Sequence, residues 1–506
     1  SGTRRLPILT APSTCTLADA NFELQRGPFA GSALMDLEVG TESDTGNWAL
    51  YLNVRGVVRQ TNQYRGADYD MANTRDEGQR DQLSIFSSLT NATFWSDGQV
   101  PHDGPDYYTS LAFSTPFDAK LDYEFPGEAL WLADGTLMVS CRSFAVPSLS
   151  CTGGSTIGSP SDNSLNGLSL QTLTAEAFDF RHGSVTLRTY KSRTMVLDGP
   201  ITGDAEILMG CWPSTGVGQS FYEFRGDNSG FAGTFVVRQA EARAQYNTFE
   251  SLFATLYVND GKSLGGAVPA FNPRALTLAR YARLSDTNTT KTVTLSDGLN
   301  RGVYIEGMGR FYAAAGATLD IDRPLLLSGR MWKEGDGTVV FRKGLRHEVT
   351  DGGALSDVPR AGSNRLEVVS GQLRLAHADA LAGVETTVDA GATLCIELDP
   401  NSADMNRYGL RNVTTDTPFV LAAELGGKLP LTVDASKLAR PTAPQAVTPI
   451  LTVRDAAADA VRAMLPTEMN LWRGYKGTVG STHDDVAKTT TFVVNSEIRG
   501  LVLLFW

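Results

Sequence analysis

From about residue 130 to residue 400 the chain repeatedly sets a glycine ahead of a short alternation of apolar and polar positions. Gly135-Thr-Leu-Met-Val, Gly183-Ser-Val-Thr-Leu, Gly233-Thr-Phe-Val-Val, Gly337-Thr-Val-Val-Phe and Gly371-Gln-Leu-Arg-Leu share this form, and "GATLDI" (316–321) differs from "GATLCI" (391–396) at one position. Alternation of period 2 is the signature of a β-strand with one buried face. Gly183 to Gly203 is 20 residues, Gly316 to Gly337 is 21 and Gly371 to Gly391 is 20. A strand this short cannot bury its apolar face alone, but stacked coils of that length bury one another. The pattern therefore predicts a β-solenoid in which Gly183, Gly203, Gly316, Gly337, Gly371 and Gly391 turn the corners. Leu319, Ile321, Leu394 and Ile396 are assigned to inward positions of their rungs. Wider intervals read as rungs with extruded loops, "CWPSTGVGQS" (211–220) and "RHEVTDGGALSDVPRAGSN" (346–364). "MWKEGDGTVVFRKG" (331–344) is one rung with its turn glycines in front.

Both ends depart from the pattern. Residues 1–90 read as a strand-rich extension or cap, where "NWALYLNVRGVVRQ" (47–60) alternates like a strand pair and "RGADYDMANTRDEGQRDQ" (65–82) is polar enough for an exposed loop. Residues 91–400 are the expected parallel β-helix. Residues 401–506 read as a small β-rich domain that covers the solenoid's open end. It contains a proline-rich connection (441–449), a short helix "RDAAADAVRAMLP" (454–466) capped by Asp455 and ended by Pro466, and "TTTFVVNSEIRGLVLLFW" as two closing strands. Leu501, Val502, Leu503, Leu504, Phe505 and Trp506 are all apolar. Either they form the last strand of that domain, or they, or "LPILT" (6–10), are donated to a neighbouring copy.

Composition narrows the partners. Lys+Arg 44 against Asp+Glu 56 gives a net charge of −12, which argues against nucleic acid and anionic membranes. No apolar run is long enough for a membrane helix. The chain begins Ser-Gly-Thr without methionine, the start expected of a processed product whose export signal has gone. Cys15, Cys141, Cys151, Cys211 and Cys395 show no CxxC spacing. Cys141 and Cys151 could close a small disulfide loop, and Cys395 reads as a small buried apolar residue. Nothing in the sequence asks for a cofactor.

Residues 331–400 carry a resemblance. "WKEGDGTVVF", "LEVVSGQLRL" and "TTVDAGATLCI" resemble the autotransporter-associated β-strand repeat, in which lysine and glycine precede G-T-L-x-L and then V-x-x-G-x-L-x-L. "RGDNSGFAGTFVV" (225–237) is similar to its asparagine-turn segment through Asn228, Phe231 and Gly233, and 299–329 is similar to the rung ahead of the lysine-glycine segment. "FWSDGQVPHDGPDYY" (94–108) and "FPGEALWL" (125–132) resemble the opening region of large secreted members. The resemblance covers roughly residues 90–400. It implies a right-handed parallel β-helix, secreted to a bacterial cell surface, as an adhesin or as a structural subunit of a surface layer or filament. Self-association or surface glycans are the implied partners. It implies no single activity, since the repeat occurs in adhesins, structural proteins and enzyme-bearing chains. The chain as given shows neither a run of membrane-barrel strands nor a basic-flanked anchor, which departs from self-transporting members.

Candidate chemistry is sparse. Asp97, His102, Asp103 and Asp106 in "WSDGQVPHDGPDYY" form the densest polar constellation, a metal site or carboxylate–histidine set on one reading and turn chemistry on the other. "HDD" (483–485) reads as a solvated turn and "RGD" (225–227) as the family's turn rather than an integrin ligand. Polysaccharide lyases and pectin-cleaving hydrolases also use parallel β-helices, with converging carboxylates and a nearby cation. Asp320, Asp322 and Arg323 on one rung, with Glu306 about one coil earlier, are the residues for that carbohydrate-active alternative. Trp95, Tyr107, Tyr108, Trp131, Trp212, Phe221 and Tyr222 offer a sugar-stacking surface or interior aromatic stacks.

Overall fold

The computed structural model of the chain describes residues 4–16, 29–30, 33–61, 88–116, 118–159, 169–189, 193–211, 219–238, 253–279, 281–286, 292–295, 299–348, 355–356, 364–381, 383–398, 410–412, 418–422, 425–438, 445–471 and 476–497. They fall into two compact units, Ser1–Ala205 and Glu206–Trp506. The protein is all-β, and Asp455–Met464 is the one α-helix among the described residues. No described helix is long and apolar enough to cross a membrane.

The first unit opens with an antiparallel sheet. Trp48–Arg59 pairs on one side with Arg4–Ala11 and on the other with Ala33–Thr41. This corrects the expected strand pair within 47–60, because Trp48–Arg59 is one strand of 12 residues. Gly56 does not take a left-handed φ, so nothing folds the segment back on itself. Val57–Arg59 then pairs in parallel with Asp106–Thr109. From there parallel rungs follow, with Tyr107, Leu130, Leu149, Phe178 and Ile201 in register and all fully buried. The alternation along each strand is what turns these positions inward.

The second unit repeats the plan on two ladders. In one, Val293, Leu319, Val339, Leu373, Leu394 and Leu431 are in register, with Ile321 and Ile396 in the neighbouring inward column. Leu319, Ile321, Leu394 and Ile396 are all buried, as the alternation predicts. Steps of 20 and 21 residues separate Leu319 from Val339 and Leu373 from Leu394, while the step from Val339 to Leu373 is 34. That longer step is where the sequence implied an extruded loop, but its start belongs to the core. Leu345–Glu348 is a strand of the other ladder, and His347 and Asn364 are buried.

The other ladder carries an inward column of Tyr222, Leu256, Leu284, Phe311, Lys333, Val368 and Val388. A lysine thus occupies a core slot. Lys333 is 0 % exposed, and its Nζ donates to the carbonyl oxygens of Gly335 (2.5 Å), Gly337 (2.7 Å) and Ser370 (2.6 Å). Three ammonium protons meet three carbonyls, which is how a buried cation of this kind is tolerated. Burial pushes Lys333 down to about 7. The glycines make the site possible. At Gly371 (φ 64°) a Cβ would collide with Lys333 Nζ and with the Gly335 and Gly337 carbonyls, and at Gly337 it would collide with the Ala314 carbonyl.

The same device appears with other residues. His347 fills an inward slot after Val237, Leu278, Ile305 and Leu327, and its Nδ1 lies 2.7 Å from Asn364 Nδ2. Asn364 also accepts from the Gly329 N–H at 2.8 Å. Arg301 is buried and donates to the carbonyls of Gly233, Gly266 and Phe231 from earlier in the chain. Burial pushes Arg301 and Arg323 down to about 10. Asn228 is buried and donates to the Ser263 carbonyl at 2.8 Å, so the asparagine turn is tied to a segment 35 residues further on.

Toward the carboxyl end, Gln445–Arg454, Thr489–Glu497, Lys476–Asp484 and Glu468–Asn470 form an antiparallel sheet against which Ala457 and Val461 of the helix are buried. The helix cap is Arg454, not Asp455; Asp455 is the first helical residue, where its carboxylate still complements the helix dipole. Residues 65–82 and 498–506, including Leu501 to Trp506, lie outside the described residues.

No disulfide joins Cys141 to Cys151. Both are free and buried on one strand, Cys141–Gly153. Ten residues of extended strand span about 33 Å, far beyond disulfide reach. Cys395 is free and buried as well.

Candidate functional site

The residues that flank the inward column of Tyr222 and Lys333 point to the other side of the sheet, because side chains alternate along a strand. They form two outward columns in the second unit. Phe221, Thr255, Arg283, Arg310, Trp332 and Glu367 are in register in one. Glu223, Tyr257, Ser285, Tyr312 and Glu334 are in register in the other. Most of these side chains are half-buried, and Thr255 and Ser285 are buried.

Two arginines directly opposite on neighbouring strands repel, so Arg283 and Arg310 need compensation. Rings and carboxylates supply it. The Arg283 guanidinium lies 4.0 Å from the Phe253 ring centre and 5.0 Å from that of Tyr312. Arg310 lies 5.9 Å from Phe253 and 5.5 Å from Trp332, and its Nη1 donates to Glu334 Oε1 at 2.8 Å. Trp332 Nε1 donates to Glu367 Oε2 at 2.8 Å. Phe221 stacks on Tyr257 at 5.8 Å with an interplanar angle of 11°. Burial pushes Arg283 below the usual arginine range and Tyr257 above the usual tyrosine range. The result is a rigid strip of aromatic faces, guanidinium donors and carboxylate acceptors. Chemically it can stack on the apolar face of a sugar ring while hydrogen-bonding its hydroxyls.

The structure disperses the sugar-stacking set expected from sequence. Trp95, Tyr107 and Tyr222 are buried, with Tyr107 edge-on to Trp95 (5.0 Å) and Phe125 (5.2 Å). Tyr108 and Trp131 are half-buried neighbours on the first unit, and Trp212 lies outside the described residues. Phe221 alone of that set joins the strip. Tyr257, Tyr312 and Trp332 were missed, although each flanks the inward residue of its own rung.

Within the polar constellation, Asp97 and His102 meet, with Nε2 3.4 Å from Oδ2. Asp97 Oδ1 accepts from the Gln99 N–H, and His102 Nδ1 faces the Asp103 carbonyl rather than its carboxylate. Asp106 begins the strand Asp106–Thr109. Among the described residues no group of three or more His, Cys, Asp or Glu could hold a metal ion. In "HDD", His483 bridges Asp455 (3.0 Å) and Asp485 (3.1 Å), while Asp484 Oδ1 accepts from the Val486 and Ala487 N–H groups; those bonds lower its pKa. In "RGD", Arg225 pairs with Glu223 at 2.9 Å and Asp227 with Lys262 at 2.7 Å, and the Lys262 bond first of all holds Asp227 at about 2.

Asp320, Asp322, Arg323 and Glu306 do not converge. Glu306 is exposed on the ladder that holds Lys333, while Asp320 sits on the other and pairs with Arg342 at 2.8 Å. Arg323 is buried and Asp322 lies 3.7 Å from Lys343. Beside Asp320 the structure places an ionic network that sequence reading missed. Glu397, its side chain 1 % exposed, accepts from Arg374 at 3.1 Å, lies 3.5 Å from Arg342 and accepts from Lys437.

Compared with known proteins, the chain matches no family model, no curated protein and no solved structure.

Proposed function

We propose that this chain is an extracellular adhesive scaffold of a bacterial surface. Its parallel rungs wind as a right-handed β-helix of the autotransporter-associated repeat type, and the aromatic–guanidinium strip of the second unit binds glycans. The observation that carries this reading is the register: Phe221, Arg283, Arg310, Trp332 and Glu367 stand on five of the six successive strands of one column, with Thr255 on the sixth. A rigid sheet holds their spacing without the ordering entropy that a loop would lose on binding. The acidic net charge of −12 is consistent with a surface partner other than nucleic acid.

A glycan array with the whole chain tests it. Binding of a defined glycan class, weakened at least about tenfold by Trp332→Ala, is the expected result. A silent array, or binding untouched by Trp332→Ala, overturns the reading. Release of reducing ends from a bound glycan would replace adhesion by the carbohydrate-active enzyme that such a scaffold also supports.

One observation favours a second reading, assembly of copies into a layer or filament. The strand Arg4–Ala11 pairs with one described strand only, and Leu6, Ile8 and Leu9 on it are 47 %, 51 % and 48 % exposed. An apolar edge strand of this kind is a template for pairing with another chain. Light scattering on the chain and on Ile8→Lys distinguishes the cases. Concentration-dependent oligomers lost in the variant support assembly, and a monomer throughout refutes it.

A further inference from the structure

Two arginines stand side by side in the aromatic strip, and their surroundings differ. Arg310 Nη1 donates to Glu334 Oε1 at 2.8 Å, so a carboxylate in contact balances its charge. Arg283 makes no ion pair among the described residues. Its Nε donates to Thr255 Oγ1 at 3.1 Å, a further bond joins it to Tyr257, and its guanidinium lies over the Phe253 and Tyr312 rings. All four partners are neutral, so they hold the group in place and leave its charge standing. No Arg283 nitrogen is buried without a bond, so the donors that the protein does not use are open to solvent. Arginines elsewhere in the unit show what a counter-charge does. Burial opposes the charge of Arg342 and Arg374 too, but bonds to Asp320 and Glu397 outweigh it and push both above the usual arginine range. At Arg283 burial prevails, and Tyr257, Glu334 and Tyr312 do not offset it.

Register fixes what surrounds this cation. Arg283 stands in line between Thr255 and Arg310, and Ser285 on the same strand stands between Tyr257 and Tyr312. Thr255 and Ser285 are small and buried, so the strip is low at its middle. Rings rise on both sides of it. Phe221 and Tyr257 stack on one side, and Tyr312 and Trp332 stand on the other. From the strand of Phe221 to the strand of Trp332 is four steps, about 19 Å, with the strand of Arg283 at the midpoint. That length suits several linked sugar rings lying across the strands.

We infer that the strip takes a linear glycan with an oxyanion, carboxylate or sulfate, on a middle sugar, and that Arg283 selects it. The sugar rings lie on the two aromatic pairs, and the oxyanion pairs with the Arg283 guanidinium between them. This rests on the glycan reading above and adds to it the charge of the ligand. The chain as a whole is acidic, at −12, so a preference for an anion must come from this local cation.

The test is calorimetric titration of the whole chain with two pairs that differ only in charge: tetragalacturonate against its methyl ester, and sulfated against unsulfated cellotetraose. Expected is that at least one charged member binds at least about tenfold tighter than its uncharged counterpart, the gap narrowing as salt rises. Which pair shows the gap separates carboxylate from sulfate. Arg283→Gln should close the gap and leave the uncharged member's affinity unchanged. Arg283→Lys, which keeps the charge but not the fork, should narrow it. Trp332→Ala should weaken both members of the pair. Arg283→Gln removes one of two neighbouring like charges, so its thermal midpoint should not fall below the native one. Equal binding within both pairs, still weakened by Trp332→Ala, overturns the inference and leaves the glycan reading standing. A gap that survives Arg283→Gln also overturns the inference. Binding of none of the four overturns both.

Discussion

Replacing Lys333 by Met keeps an unbranched side chain, one atom shorter, and removes every proton that it donates. All three carbonyls, at Gly335, Gly337 and Ser370, lose the ammonium inside a site closed by Gly371, and Gly337 keeps the Gln372 N–H at 3.0 Å. A stranded buried acceptor costs about 1–3 kcal/mol, so Gly335 and Ser370 together set a range of about 2–6. The methionine returns some packing and removes the desolvation penalty of a cation, so the lower part of that range applies: about 2–4 kcal/mol. Denaturant unfolding of the two proteins at neutral pH measures it. The same lysine predicts a pH dependence. Its ordinary value is 10.5 and burial lowers it to about 7 in the fold, so between those values the unfolded chain binds more protons than the folded one. Stability therefore rises with pH across that window. At about 1.36 kcal/mol per pH unit the rise totals roughly 5 kcal/mol, and Lys333→Met should abolish it. A variant within about 1 kcal/mol of the native protein would refute the claim that the lysine closes this rung. A native stability curve flat from pH 7 to 10 would show that the three carbonyls hold the proton against burial.

Leu394→Ala should cost about 2–5 kcal/mol, because the side chain is fully buried in an inward column; an unchanged melt would place it on the outside. Gly371→Ala should destabilise more than Gly391→Ala in paired thermal melts. Both have left-handed φ, but at Gly391 the nearest atom to a Cβ is 3.5 Å away, whereas Gly371 has the lysine and two carbonyls in the way. Equal losses would mean that backbone strain alone matters. Glu397→Ala should cost about 3–5 kcal/mol, since it leaves Arg342, Arg374 and Lys437 without their shared buried carboxylate. Urea unfolding checks it, and a loss under 1 kcal/mol would show water replacing the carboxylate.

How far the fold was legible depended on whether a rung carried its glycine. The rungs at 316–321, 337–341, 371–375 and 391–396 were readable because a corner glycine and strict alternation coincide there. The strands Ala254–Val258, Ala282–Asp286 and Arg301–Tyr312 lack that leading signature, and with them the aromatic strip went unseen. Lys333 was legible as part of a lysine–glycine segment, but its burial and its partners were not: they include a carbonyl 37 residues further on. His347 sat at the head of what looked like an extruded loop, yet it fills a core slot whose partner, Asn364, follows 17 residues later. Long-range satisfaction of a polar group leaves no periodic trace. Cys141 and Cys151 show the converse: closeness in sequence suggested a loop where one straight strand runs.

The lysine inside the stack has a bearing on how such a protein can lengthen or shorten. Rungs lined only by leucine and valine are interchangeable, so one could be lost, copied or slipped past another with little penalty. Lys333 ends that freedom at one junction. Its strand is matched only by a neighbour that brings glycine to position 371 and a carbonyl to position 370. Any other strand placed there would bury a cation without acceptors. The order of the strands is thereby addressed, much as a single buried asparagine sets the register of paired helices. Arg301, held by carbonyls of Phe231, Gly233 and Gly266, and His347 beside Asn364 address further junctions in the same way, so duplication stays open only between them.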